Sequence, residues 1–138
     1  MGSKSYTYFD HDADIGIAGH GKTIESAFES AAEAMFDIMT DITAIKADAE
    51  INIAFDESDI EYALVTWLNT LIAEARDHGL ALGSFKITRQ GDHWQGQAWG
   101  EPWRVDLERG VEVKGATLTM LSVKASNHEW EARCIVDV

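Results

Sequence analysis

Two stretches of the chain repeat apolar residues at helical spacing, and most of the rest alternates apolar and polar positions. In the first helical stretch Ile24, Phe28, Ala31, Met35, Ile38 and Met39 fall on one face. Thr23 is placed to cap it, Glu25 suits the positive end of the helix dipole, and the helix should end near Thr40–Asp41. The second stretch has a broader stripe: Leu64, Trp67, Leu68, Leu71, Ile72 and Ala75. Ser58-x-x-Glu61 reads as the capping box that starts it, and His78–Gly79 as its close. Asn69 sits at the edge of that stripe and reads as a solvated or locally bonded amide.

The alternating stretches predict strands. Tyr6, Tyr8 and Phe9 lead into a loop at His11, and Ile15 and Ile17 continue to a turn at Gly19–Gly21. Ile51, Ile53 and Phe55 form a half-buried strand. Phe85 and Ile87, then Trp94 and Ala98, flank Gln90-Gly91-Asp92 as a hairpin. Gly100-Glu101-Pro102-Trp103 reads as a loop, since its proline (the only one in the chain) lacks a ladder donor. Val111 to Val123 reads as one long strand, with Gly115 marking a bulge or a close approach. After a turn at Ser126-Asn127-His128, a final strand carries Trp130, Ala132, Cys134 and Val136 on one face, opposite Glu131, Arg133, Ile135 and Asp137. No internal repeat or linker interrupts the pattern. The expectation is a single α+β domain over residues 1–138, with two main helices packed on a mostly antiparallel sheet.

Composition narrows the class. A chain of 138 residues can bury a core without staples, and 46% apolar with 25% charged residues is a soluble, globular balance. The 24 acidic residues outweigh 11 basic ones, for a net charge of −13. That charge repels phosphate backbones, so no direct nucleic-acid binding is expected; it favours cations or a basic protein surface. Taken alone, the acidity means only solubility. The single Cys134 excludes an internal disulfide, suits a reducing compartment, and sits where a buried, inert thiol is expected. The opening MGSKSYTYFD has no apolar leader segment, and Gly2 does not complete a myristoylation pattern because position 6 is Tyr. No apolar run approaches the ~18–20 residues of a membrane span. A cytoplasmic protein with no membrane contact is expected, its oligomeric state left open.

Candidate chemistry concentrates between His11 and Gly21, HDADIGIAGHG. There is no C-x-x-C, no H-E-x-x-H and no EF-hand loop, which argues against zinc. Gly19-His20-Gly21-Lys22-Thr23 ends like a P-loop but lacks its first glycine, and an anion there would meet a strongly acidic protein. Trp94, Trp99, Trp103 and Trp130 read as packing anchors, since no basic groove accompanies them. Asp12 and Asp14, two apart on an extended segment, face the same way and can offer oxygens to a hard cation. Most such pairs are solvated acids, and most histidines like His11 and His20 are structural. Asp137 brings a side-chain carboxylate, a backbone carbonyl and the neighbouring Val138 α-carboxylate within one residue's reach. The cluster attracts Ca2+ or Mg2+ if another acid is near, and is a frayed tail otherwise.

Several stretches together resemble the archease family over essentially the whole length. They are His11-x-Ala13-Asp14-Ile15-x-Ile17, then Gly21-x-Thr23-x-x-x-Ala27-Phe28 with Ala31-Ala32-x-Ala34-Met35. Leu64-x-x-Trp67-Leu68-Asn69-x-Leu71, Gly100-Glu101-Pro102 and Val113-Lys114-x-Ala116-Thr117 follow, and Trp130-x-Ala132-Arg133-x-x-x-Asp137-Val138 closes the set. The resemblance implies an accessory protein, not an enzyme, that serves an RtcB-type RNA ligase in tRNA splicing and RNA repair. Such proteins promote ligase guanylylation and multiple turnover. It also implies a divalent-cation site made by Asp14, Asp137 and the backbone oxygen of Val138, with Ca2+ favoured over Mg2+. Relatives usually carry a neutral residue where Asp12 stands. Many have His at the position of Gly110 and an aromatic–His pair at Leu118–Thr119.

Two other readings compete. One is a small metal-dependent hydrolase with Asp14 as base and His11 as acid, for which the carboxylates are few and no nucleophile adjoins a His. The other is a chaperone-like binding module whose acids are merely solvated.

Overall fold

The structure, a computed structural model, describes residues 5–138. The reading of Gly2 lies outside the described residues. The elements run β1 (Tyr6–His11), β2 (Asp14–Gly21), α1 (Ile24–Met39), β3 (Ala49–Asp56), α2 (Ile60–His78), β4 (Leu80–Gln90), β5 (His93–Pro102), β6 (Gly115–Ala116), β7 (Ser122–Ser126) and β8 (Glu129–Asp137). This is the α+β architecture that the pattern predicts, with the strands divided between two sheets. One sheet has the order β1-β2-β8-β6, with β7 also on β8; the other is β3-β5-β4, and all these pairings are antiparallel.

Helix α1 joins the two sheets, packing on β2 and β8 of the first and β4 of the second. Its approach to β2 is close enough that a Cβ at Gly19 would strike the backbone of Ala27 and Ala31. Thr23 caps α1 as expected, in a reciprocal box with Ser26. The core is centred on Trp67 and Trp94, both fully buried. Trp94 stacks on Phe28 at 5.1 Å between ring centroids and on Phe55 at 6.0 Å. The indole N–H groups are satisfied by carbonyls: Trp67 donates to Phe28 and Trp94 to Glu57, each at 3.0 Å. The apolar stripe of α2 is buried as read, and Gly79 closes the helix in the left-handed region at φ +64°. Trp99 bonds Glu50, Trp103 stacks under Arg109, and Trp130 packs against the core's edge.

Five expectations are corrected. Gly19–Gly21 is not a turn but the end of β2, paired with Ala132, Glu131 and Trp130 of β8. The cap of α2 is Asp59, not Ser58: the Asp59 carboxylate accepts from the N–H groups of Glu61 and Tyr62. Glu61 is thereby released to accept from Val123 N at 3.3 Å. Gly100, Glu101 and Pro102 belong to β5, because β3 stops pairing at Gly100 and Pro102 has no partner to disappoint on that side. The segment 111–123 is not one strand. Only Gly115–Ala116 and the residues from Ser122 onward pair with β8, and a turn at Leu118–Leu121 separates them. Asn69 is not solvated; its amide accepts from Ala116 N at 2.8 Å and donates to Ala116 O at 3.1 Å. Among the described residues no helix is long and apolar enough to cross a membrane.

Candidate functional site

Strand β8 runs antiparallel to β2, and their register pairs Ile15 with Val136. One step beyond that pair lie Asp14 on one strand and Asp137 on the other. The chain therefore returns to its beginning after more than a hundred residues. Val138 N donates to Asp14 Oδ1 at 3.4 Å, a long bond that ties the last residue to the early acid. On the other side of β8, Gly115 pairs with Asp137, and Lys114 N donates to the Asp137 carbonyl at 2.8 Å. Neither the Asp14 nor the Asp137 carboxylate has an ion-pair partner among the described residues.

Asp14, Asp137 and Val138 are thus brought together. Asp12 is not in line with them, because it is the first central residue of the two-residue turn between β1 and β2, at φ +53°. Asp tolerates that conformation, but the same-face argument, which assumed extended backbone, does not hold there. His11 pairs with Asp14 across the hairpin, and its Nδ1 is buried without a hydrogen-bond partner. A buried polar atom left so is costly, and it marks the inner side of the tip. His20 lies at the far end of β2, where its Nδ1 is 3.3 Å from a Glu129 carboxylate oxygen. The glycines of the P-loop-like stretch serve packing: Gly19 admits α1, and a Cβ at Gly21 would strike Ser26. Cys134 is fully buried, and burial pushes its thiol up to about 12, which leaves it inert.

The donor chemistry fits a hard cation. Two carboxylates and a main-chain oxygen are all-oxygen ligands, and like charges one step beyond a paired strand position repel where no counter-charge stands with them. The set is small. No group of three or more His, Cys, Asp or Glu side chains among the described residues is arranged to hold a metal. Sequence reasoning also missed two supports of the site. Asn69 holds Ala116, and Ala116 and Gly115 hold the end of β8; Lys114 fixes the Asp137 carbonyl. An amide beside an apolar helix stripe was the available signal for Asn69.

Residues 6–138 match the model of the Archease protein family. The chain belongs to the archease family.

Archease from Sulfolobus acidocaldarius is 34% identical over 136 residues, covering 96% of this chain and 98% of that protein. Archease from Pyrococcus furiosus is 31% identical, covering 98% and 99%. The solution structure of protein 1598 from Methanobacterium thermoautotrophicum superposes with a TM-score of 0.83 at 32% identity, over 99% of this chain and all of that one. A crystal structure of an archease from Thermotoga maritima, described there as a possible chaperone, shares the fold with a TM-score of 0.66 at 21% identity over 94% of each chain. In this archease the glycine at position 110 has a structural reason. Its N–H bonds the Met39 carbonyl, and a Cβ there would strike the carbonyl of Ile38. Leu118 and Thr119 stand in the turn beside β8, where Thr119 O accepts from Ile135 N.

Proposed function

We propose that this archease is an accessory protein of an RtcB-type RNA ligase. It carries a divalent cation at the tip made by Asp14, Asp137 and Val138, and promotes ligase guanylylation and multiple turnover in tRNA splicing and RNA repair. The observation that carries the reading is the bond from Val138 N to Asp14, which unites the two ends of the chain where both carboxylates lack a counter-charge. Asp14 and Asp137 would hold the ion by their side chains and Val138 by its main-chain oxygen. Ca2+ suits this hard, flexible donor set, with Mg2+ as the alternative. When bound, the ion supplies positive charge at the tip. Three protein oxygens are fewer than the six to eight that Ca2+ takes, so water and oxygens of the partner complete the shell. The net charge of −13 steers the protein toward a basic protein surface and away from RNA itself.

The chain's own residues do the positioning. The β1–β2 hairpin presents Asp14, and β6, clamped by Asn69, presents Asp137. A hydrolase reading gains less support, since among the described residues no hydrogen bond joins His11 or Asp14 to a Ser, Thr or Cys side chain. The test is a guanylylation and multiple-turnover ligation assay with GTP and the cognate ligase. Asp14→Ala and Asp137→Ala should fold normally and lose the stimulation. Unimpaired stimulation by both variants rejects the reading, and nucleotide or phosphoester hydrolysis by the isolated protein would favour the hydrolase instead.

A further inference from the structure

The turn Leu118–Leu121 displays two large apolar side chains beside the acidic tip. Leu118 is 57% exposed and Met120 is 49% exposed, whereas Leu121 at the end of the same turn packs against the core. The turn closes by a bond from Leu121 N to Leu118 O at 3.3 Å. Met120 occupies its third position with φ +53°, where a turn of this kind asks for Gly. A bulky residue in that conformation is disfavoured, and this one does not recover the cost by burying its side chain. The turn is also held firmly. Thr117 N and Thr117 Oγ1 both donate to Ile135 O, at 3.0 and 2.9 Å, and Ile135 N donates to Thr119 O at 3.2 Å. Ile135 is two residues before Asp137 on β8, so turn and carboxylates ride on one strand, about 7 Å apart along it.

We infer that Leu118 and Met120 are an apolar anchor that docks the tip on its protein partner, seating in an apolar socket rimmed by basic residues. Charge complementarity selects the occupant. Asp10, Asp12, Asp14 and Asp137 crowd this end of the molecule, and none has an ion-pair partner among the described residues. An anionic membrane or a nucleic acid would be repelled there; a basic protein surface would be attracted. The turn's backbone is already held by its bonds to Ile135, so presenting these side chains costs little further backbone ordering on binding, which is what an anchor requires. The proposal rests on the function proposed above, which identifies the partner as the RNA ligase. The two features divide the kinetics: the acids act on the association rate and its salt dependence, and the anchor acts on dissociation.

The experiment measures association of the full chain with the cognate RtcB-type ligase by surface-immobilised kinetics, for wild type, Leu118→Ser, Met120→Gly and Asp12→Asn. Leu118→Ser and Met120→Gly should each raise the dissociation rate at least tenfold with Ca2+ affinity unchanged. Met120→Gly should at the same time melt at a higher temperature than wild type, because Gly relieves the backbone. Asp12→Asn should slow association only. Should Leu118→Ser misfold, Met120→Gly carries the test alone. Dissociation within twofold of wild type for a folded Met120→Gly overturns the anchor alone, whereas a wild type that does not associate with the ligase overturns the proposed function and the anchor with it. Weakened docking by the turn variants together with full stimulation by Asp14→Ala and Asp137→Ala would leave the anchor standing and remove the cation reading.

Discussion

Glu101 and the Asp14–Asp137 pair are carboxylates at the ends of paired strands, and the fold treats them in opposite ways. Glu101 is buried, and every oxygen has an internal donor. Arg104 Nε reaches Oε1 at 2.8 Å, Arg104 Nη2 reaches Oε2 at 3.3 Å, and Lys46 N reaches Oε2 at 2.7 Å. The same guanidinium also reaches Ala44 O at 3.0 Å and Asp106 at 2.7 Å, so one acid and one base lock together two loops at that end of the second sheet. The Arg104 hydrogen bonds, the Lys46 N–H and the nearby charges hold the Glu101 carboxyl below its ordinary value. Asp14 and Asp137 receive no such compensation. One accepts a long bond from Val138 N, and the other leans on Lys114 only through its backbone carbonyl. A carboxylate whose charge is balanced internally belongs to the architecture. One left unbalanced has room for a charge from outside, which is what the proposed cation would supply.

Variants should separate the two regions sharply. The largest effect on stability is expected at Glu101: Glu101→Ala strands the Arg104 guanidinium and the Lys46 N–H, and should give the lowest melting temperature of the set while leaving cation binding intact. The same group sets an acid limb. Because its folded pKa lies below the ordinary value of about 4.5, its contribution is fully present above that value and is lost as pH falls through the folded value. Melting curves between pH 6 and 3 should show that limb in wild type and a flatter one in Glu101→Gln. Next comes cation linkage. Free Ca2+ at a hundred times its dissociation constant should stabilise wild type by about 2.7 kcal/mol and leave Asp14→Ala unmoved in differential scanning calorimetry. Asn69→Ala removes both bonds to Ala116 and should cost about 1–3 kcal/mol by denaturant titration. Because β6 holds the end of β8, it should also weaken cation binding from a distance. The smallest effect belongs to Asp137→Asn without cation, within about 0.5 kcal/mol of wild type, and toward higher stability if the paired carboxylates repel.

The contrast also explains what could be read before the fold was known. Local patterns carried the helices and most strands: the stripe of α2, the cap at Thr23, the hairpin at Gly91 and the turn at Asn127–His128, whose positive φ values the sequence Ser-Asn-His accommodates. Local patterns misled where a long-range partner decides. Val111 to Val123 alternates well enough for a strand, but Asn69 and Ile135 claim its backbone piecemeal. Ser58-x-x-Glu61 satisfies a capping-box pattern, yet Asp59 is the nearer and stronger acceptor, and Val123 takes Glu61. The acids of the tip were each visible, but their meeting depends on pairing β2 with β8 across most of the chain. No periodicity encodes that pairing, and only the family resemblance supplied it.

The central claim is that Asp14, Asp137 and Val138 form one cation site, and amide NMR of the whole chain during a Ca2+ titration tests it most directly. The account predicts saturable shifts centred on residues 11–15 and 136–138, with Lys114 and Ala116 moving as well, all abolished in Asp14→Ala and in Asp137→Ala. Resonances at the tip that stay still to millimolar Ca2+ and Mg2+, or that move equally in both variants, would contradict it.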